Sequence, residues 1–140
     1  MSQYYLFQDT KKCIGCHACE VQCKANKNLP IGPRLCQIIQ VGPKMIGGLP
    51  RAAYIFMPCF HCENPWCVAA CPWGAPQWNP ETGKVVKCDY CKDRVDQGLN
   101  PACVTTCTTH CLKFGKVEDM TQIRRERHAQ TVASLEHCAF

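Results

Sequence analysis

The sequence predicts an α+β protein: short strands and short helices arranged as a double module around metal centres built from cysteine. Three observations point there. Fifteen of the 140 residues are cysteines, and twelve of them fall into three tight groups. Short extended segments alternate with the cysteine groups, with one or two helical turns after the first. Finally, nineteen residues are Gly or Pro, and the 46% hydrophobic content counts every cysteine. Such a chain cannot depend on a large apolar core, so bound metal must carry part of its stability.

The elements follow in order. Residues 3–9 (QYYLFQD) read as a strand leading into the first cysteine loop. Cys19 to Lys27 allow a helical turn or two, stopped by Leu29-Pro30. Residues 35–41 and 52–57 are strand candidates, and the GPKMIGGLP between them reads as a loop. The PETG at 80–83 is a turn between the short extended pieces QW and KVVK. Residues 112–117 form a last strand. From Asp119 to Cys138 the composition is helical, with Thr121 or Asp119 as cap and Met120, Ile123, Val132 and Leu135 as an apolar stripe. The expected division is a cysteine-rich domain over 1–117 and a helical tail over 118–140.

The spacing of the cysteines carries the chemistry. Cys13, Cys16, Cys19 and Cys23 read C-x2-C-x2-C-x3-C; Cys59, Cys62, Cys67 and Cys71 read C-x2-C-x4-C-x3-C; Cys88, Cys91, Cys103 and Cys107 read C-x2-C-x11-C-x3-C. The first is the ligand run of bacterial-type [4Fe-4S] ferredoxins without the proline that usually follows, and its fourth cysteine ordinarily serves a different cluster. This gives a ferredoxin-like reading of the fold. Zinc is the rival, but structural zinc is typically held by two separated pairs, whereas here three thiols fall within seven residues. Disulfides are disfavoured because the N-terminus reads as no export signal. Three complete tetrads imply three [4Fe-4S] clusters; a fourth would need every cysteine and one further ligand.

The formal charge of +5 does not indicate nucleic acid. Three clusters with their thiolates add about −6, which brings the loaded protein close to neutrality. Lys11, Lys12, Lys24, Lys27, Lys84, Lys87 and Lys92 lie beside cysteine groups and are expected to balance that charge. No run of about 20 apolar residues exists, so no membrane span is expected. Cys36, Cys111 and Cys138 are left over and read as small buried hydrophobes; the C-x3-C spacing makes Cys111 the exception to watch. His17, His61 and His110 neighbour cysteines and are expected to donate hydrogen bonds or face solvent, rather than replace thiolate on iron. Trp66, Trp73 and Trp78 are expected to shield clusters or pack on a partner. No acid–base pair, nucleophile triad or phosphate loop is present, so the chain reads as non-catalytic.

The segments CIGCHACEVQCKANKNLP, CFHCENPWCVAACPWGAPQWNPETGKVVKC and KCDYCKDRVDQGLNPACVTTC resemble the iron–sulfur electron-transfer subunits of molybdenum and tungsten oxidoreductases. That family includes the partners of dimethyl sulfoxide reductase, formate dehydrogenase, polysulfide reductase and some aldehyde oxidoreductases. The resemblance covers residues 4–117 and implies a polyferredoxin-type domain that passes electrons between a Mo- or W-pterin catalytic subunit and a carrier, further subunits or copies of itself. It also implies the pairing: Cys13, Cys16 and Cys19 with Cys107, and Cys88, Cys91 and Cys103 with Cys23. The family usually has four cysteine groups. Here Cys71-Pro72-Trp73-Gly74-Ala75-Pro76 looks like the end of a deleted third group, which leaves Cys59, Cys62, Cys67 and Cys71 for one cluster. Thr108-Thr109-His110-Cys111 stands where the family usually has Pro-Thr-Gly-Ala. Small size and the lack of an anchor favour a soluble, cytoplasmic complex with an aldehyde-oxidoreductase-like partner, or export to the periplasm with a partner. The alternatives are a free soluble ferredoxin and a zinc-binding interaction module.

Overall fold

In a computed structural model, residues 4–59, 61, 71–72 and 74–136 are described, with side chains up to residue 130. Strand β1 (Tyr4–Gln8) pairs with β6 (Leu112–Lys116), the strand that precedes the tail. The Tyr4 and Phe114 rings stack across this pair at 5.2 Å. Helix α1 (Ala18–Asn26) starts at His17, whose φ of 58° ends the first cysteine loop in a left-handed turn. Glu20 in its first turn and Lys24 in its last suit the helix dipole.

Of the segment 42–50, expected as a loop, only Gly47 and Gly48 form a turn; the rest is strand. β2 (Cys36–Ile46) and β3 (Leu49–Pro58) form an antiparallel hairpin that closes with Ile46 opposite Leu49. Gly47 and Gly48 both have positive φ, 60° and 79°, as a two-residue type I′ hairpin turn requires. Gly42-Pro43 is absorbed as an irregularity between Val41 and Lys44, because a bulge tolerates a proline that a regular ladder does not. The reading went wrong by treating Gly and Pro as loop formers when Gly-Gly was the tight turn itself.

β4 (Gln77–Asn79) and β5 (Lys84–Val86) flank the expected turn. Buried Asn79 organises it: its Oδ1 accepts the amides of Glu81 and Thr82 at 3.0 and 3.3 Å. Two helices too short to read from periodicity follow, α2 (Lys92–Val95) and α3 (Ala102–Thr105). The tail is helix α4 (Val117–Glu136), which begins directly after β6. Thr121 therefore does not cap it; its hydroxyl donates to the Val117 carbonyl at 3.0 Å. Of the expected stripe, Met120 is buried and Ile123 half-buried; Val132 and Leu135 lie beyond the described side chains.

The chain divides into two compact units, one drawn from both ends (up to Phe7 and from Lys113) and one spanning Gln8–Leu112. In the end unit the Arg127 guanidinium lies 5.5 Å over the Phe7 ring. Met120 packs on Gly115, where a Cβ would come within 3.1 Å of its Cε. In the middle unit, eight of the thirteen buried hydrophobic residues among those described are cysteines. The interior is thus a sulfur core with a thin apolar lining of Leu35, Ile38, Phe56, Ala102 and Leu112. Among the described residues, no helix is long and apolar enough to cross a membrane.

Candidate metal centre

The first C-x2-C of each cysteine group shares one backbone feature. The residue before its second cysteine is left-handed in all three: Gly15 at φ 69°, His61 at 51° and Tyr90 at 57°. A glycine takes this conformation freely, whereas a side chain takes it at a cost of about 1 kcal/mol. At position 15 glycine is required twice over, since a Cβ there would lie 2.4 Å from the Tyr54 ring.

The first loop presents Cys13 and Cys16, and the first turn of α1 presents Cys19. The chain returns to them at the end of α3. Cys13, Cys16, Cys19, Cys107 and Cys111 line one small cavity, together with Ile38 and Leu112. The Asp9 amide donates to the Cys111 carbonyl at 2.8 Å, which pins the loop to the returning chain. Donors surround the sulfurs: Thr108 Oγ1 lies 3.5 Å from Cys16 Sγ, and Thr109 Oγ1 lies 3.9 Å and Cys111 Sγ 3.4 Å from Cys107 Sγ. The Thr108 hydroxyl, helped by the Ala18 amide, holds the Cys16 thiol below its ordinary pKa. Burial works against Cys107, but the Leu112 amide, Cys111 and Thr109 outweigh it and leave that thiol low as well. Burial pushes Cys19 and Cys111 up to about 12.

Cys23, one turn beyond Cys19 on α1, faces a second group. Burial pushes the Cys103 thiol up, and the sulfurs of Cys88, Cys23, Cys91 and Cys19 add to it. Cys88 rises to about 12 and Cys91 rises too, again chiefly through burial. Cys23 is the exception, held low by a hydrogen bond from Cys36. Donors to sulfur here are the Tyr90 amide on Cys88 at 3.5 Å and Asn26 Nδ2 on Cys91 at 3.8 Å. Lys27 closes this side of α1 with ion pairs to Asp89 at 2.9 Å and Asp93 at 2.7 Å.

Of the remaining tetrad, Cys59 is buried at the end of β3 and Cys71 is half-buried. Cys62 and Cys67 lie outside the described residues, as do Trp66, Trp73 and Cys138. His61 stacks on Tyr90 at 3.6 Å between ring centroids, so the Cys59 loop lies against the Cys88 loop. Its Nε2 is buried with no hydrogen-bond partner, and burial lowers its pKa to about 4.

This donor set fits clustered iron: five thiols line one cavity, and thiolates are the ligands that iron–sulfur clusters take.

Comparison with known proteins agrees. Residues 66–117 match a family model described as a 4Fe-4S dicluster domain. The thiosulfate reductase electron transfer subunit PhsB of Salmonella typhi is 33% identical over 89% of this chain and 81% of its own. The B subunit of the anaerobic dimethyl sulfoxide reductase of Escherichia coli is 30% identical over 94% and 80%, and the B subunit of the polysulfide reductase of Wolinella succinogenes 31% over 84% and 78%. The chain belongs to the iron–sulfur electron-transfer subunits of the molybdenum oxidoreductase family.

Within the aligned stretch the chain skips positions that a relative fills. The alignment with the thiosulfate reductase subunit runs over 156 positions, yet 89% of 140 residues is about 125, so about 31 positions find no residue here. Other expectations for this iron–sulfur subunit are met in part. Trp78 is 60% exposed, too open to shield a cluster within its own chain. Lys27 and Lys92 are engaged by carboxylates, the latter by Asp96 at 2.7 Å, because Asp89, Asp93 and Asp96 compete with the sulfurs for nearby cations. His17 Nδ1 pairs with Glu20 at 3.1 Å, and His110 is exposed. Cys36 is buried, with its sulfur 3.8 Å from the Cys19 carbonyl and against Cys23, whereas Cys111 lines the first cavity. The sulfur-bonding roles of Thr108, Thr109 and Asn26 were not legible beforehand, although two hydroxyl residues directly after Cys107 were a usable signal.

Proposed function

We propose that this chain is a one-electron relay holding three [4Fe-4S] clusters. Cys13, Cys16, Cys19 and Cys107 would hold one, Cys88, Cys91, Cys103 and Cys23 a second, and Cys59, Cys62, Cys67 and Cys71 a third. The clusters, when bound, supply reversible one-electron chemistry. The chain's own residues fix the sulfurs, exclude water and hydrogen-bond to them. The observation that supports the reading is the cavity that Cys19 shares with Cys107; Cys23, which acts on the Cys88 and Cys91 thiols, is assigned to the second group. A double-module ferredoxin-like arrangement follows from that exchange of fourth ligands.

The partner we infer is a molybdenum or tungsten pterin catalytic subunit. The names of the relatives favour a reductase of sulfur compounds or sulfoxides over an aldehyde-oxidoreductase-like partner. We place the complex in the cytoplasm, with export to the periplasm alongside a partner as the alternative. Anaerobic purification of the native protein tests this. The expected result is a brown preparation with about twelve iron atoms per chain and a co-purifying pterin enzyme. Colourless protein with zinc would leave the interaction-module reading, and brown protein without a companion the free ferredoxin.

We propose further that residues 118–140 serve docking. The helix carries Arg124 and Arg125 exposed, with Arg127 over Phe7. Truncation after Val117 should leave the iron content intact and weaken association with the catalytic subunit or with other copies. Bleaching of the clusters instead would make the tail part of the core.

A further inference from the structure

We propose that the segment Thr108–Cys111 is a hydrogen-bond donor set that raises the reduction potential of the first cluster. The inference rests on the assignment of Cys16 and Cys107 as ligands. Three contacts carry it: Thr108 Oγ1 to Cys16 Sγ at 3.5 Å, Cys111 Sγ to Cys107 Sγ at 3.4 Å, and the longer Thr109 Oγ1 to Cys107 Sγ at 3.9 Å. A thiolate bound to iron has no proton to give, so in each contact the threonine hydroxyl or the Cys111 thiol must donate.

The segment is built to hold this geometry. The His110 amide donates to the Cys107 carbonyl at 3.0 Å, and His110 is left-handed at φ 49°. That tight turn brings the sulfur of Cys111 back onto Cys107. The Asp9 amide then fixes the Cys111 carbonyl at 2.8 Å. With 3% of its surface exposed, Cys111 is sheltered from water that could replace it as donor. Reduction adds negative charge to the thiolate-bound centre. Donors aimed at its sulfurs stabilise the reduced form more than the oxidised one, which raises the potential. Cys111 is thus a positioning and tuning residue, not a fifth ligand.

The test uses the anaerobically loaded full-length chain and its Cys111→Ala, Cys111→Ser and Thr108→Val variants. Each is titrated potentiometrically with EPR detection, and iron is counted. In Cys111→Ala, one signal should require a lower potential to appear. The oxidised-to-reduced ratio at fixed potential should shift about tenfold, or about 59 mV for one electron. Thr108→Val should move the same signal in the same direction. Cys111→Ser, which keeps a donor, should restore most of the difference, and iron should stay at the wild-type level in all three. Loss of about four irons from Cys111→Ala would make Cys111 a ligand and overturn the inference. Unchanged potentials in both Cys111→Ala and Thr108→Val would overturn it as well, with the cluster assignment intact. Wild-type protein that binds no iron would sink the assignment itself.

Discussion

The two thiol groups that share α1 differ in how far the protein alone prepares them for metal. In the first group Cys16 and Cys107 are both held below the ordinary thiol pKa, mainly by hydroxyl, thiol and amide donors. In the second, Cys88, Cys91 and Cys103 are all raised by burial, and only Cys23 is low. Metal binding must release the thiol protons. Burial raises Cys19 in the first group too, so the first group has two lowered thiols against one in the second and is the closer to its loaded protonation state before any iron arrives. Donors explain the contrast, not depth: Cys107 is as buried as Cys103, and hydrogen bonds hold it low.

Removing the metal altogether should have the largest effect. With eight of thirteen buried hydrophobic positions in the middle unit occupied by cysteine, anaerobic chelation should abolish cooperative thermal melting followed by circular dichroism. A chelated protein that still melts cooperatively would mean that the apolar lining suffices. During reconstitution at limiting iron, the first group should fill before the second; filling in the reverse order would break the comparison.

A smaller effect, confined to one cluster, is expected from Cys23→Ala. It should remove about four of roughly twelve irons and the EPR signal of the group containing Cys88, Cys91 and Cys103. Loss of the Cys13, Cys16 and Cys19 signal instead would refute the crossing. The smallest effect belongs to Lys27→Ala, which leaves Asp89 and Asp93 unpaired beside the second group. These carboxylates are half exposed, so the stability loss in chemical denaturation should be about 1 kcal/mol and shrink with added salt. Iron release to a chelator should quicken from the second group and not from the first; equal quickening would place Lys27 outside that distinction.

Much of this was legible because cysteine spacing is local. C-x2-C-x2-C-x3-C announces both a cluster loop and an outward-facing fourth thiol without knowledge of the fold. The strands at 4–8 and 112–116 could be read because they are short apolar or aromatic runs bounded by cysteines and turns. The hairpin extension over 42–50 was misread because glycine and proline signal turns without saying whether a ladder continues through them. Helices α2 and α3 span only four residues each, too few for any periodicity to show. The threonines at 108 and 109 became informative only once the returning chain placed them beside Cys16 and Cys107, with Thr108 and Cys16 92 residues apart in the sequence.

Helix α1 has a consequence for how fast charge can move. Cys19 and Cys23 are both buried and four residues apart, a rise of about 6 Å along the axis. On the proposed assignment this single turn fixes the separation of the first two clusters, and its length is set by backbone hydrogen bonds rather than by a movable interface. Exchange between those two centres should then be insensitive to solvent viscosity and to the binding of partners. Any gating of the overall current would fall at the entry and exit of the chain, where one protein must meet another.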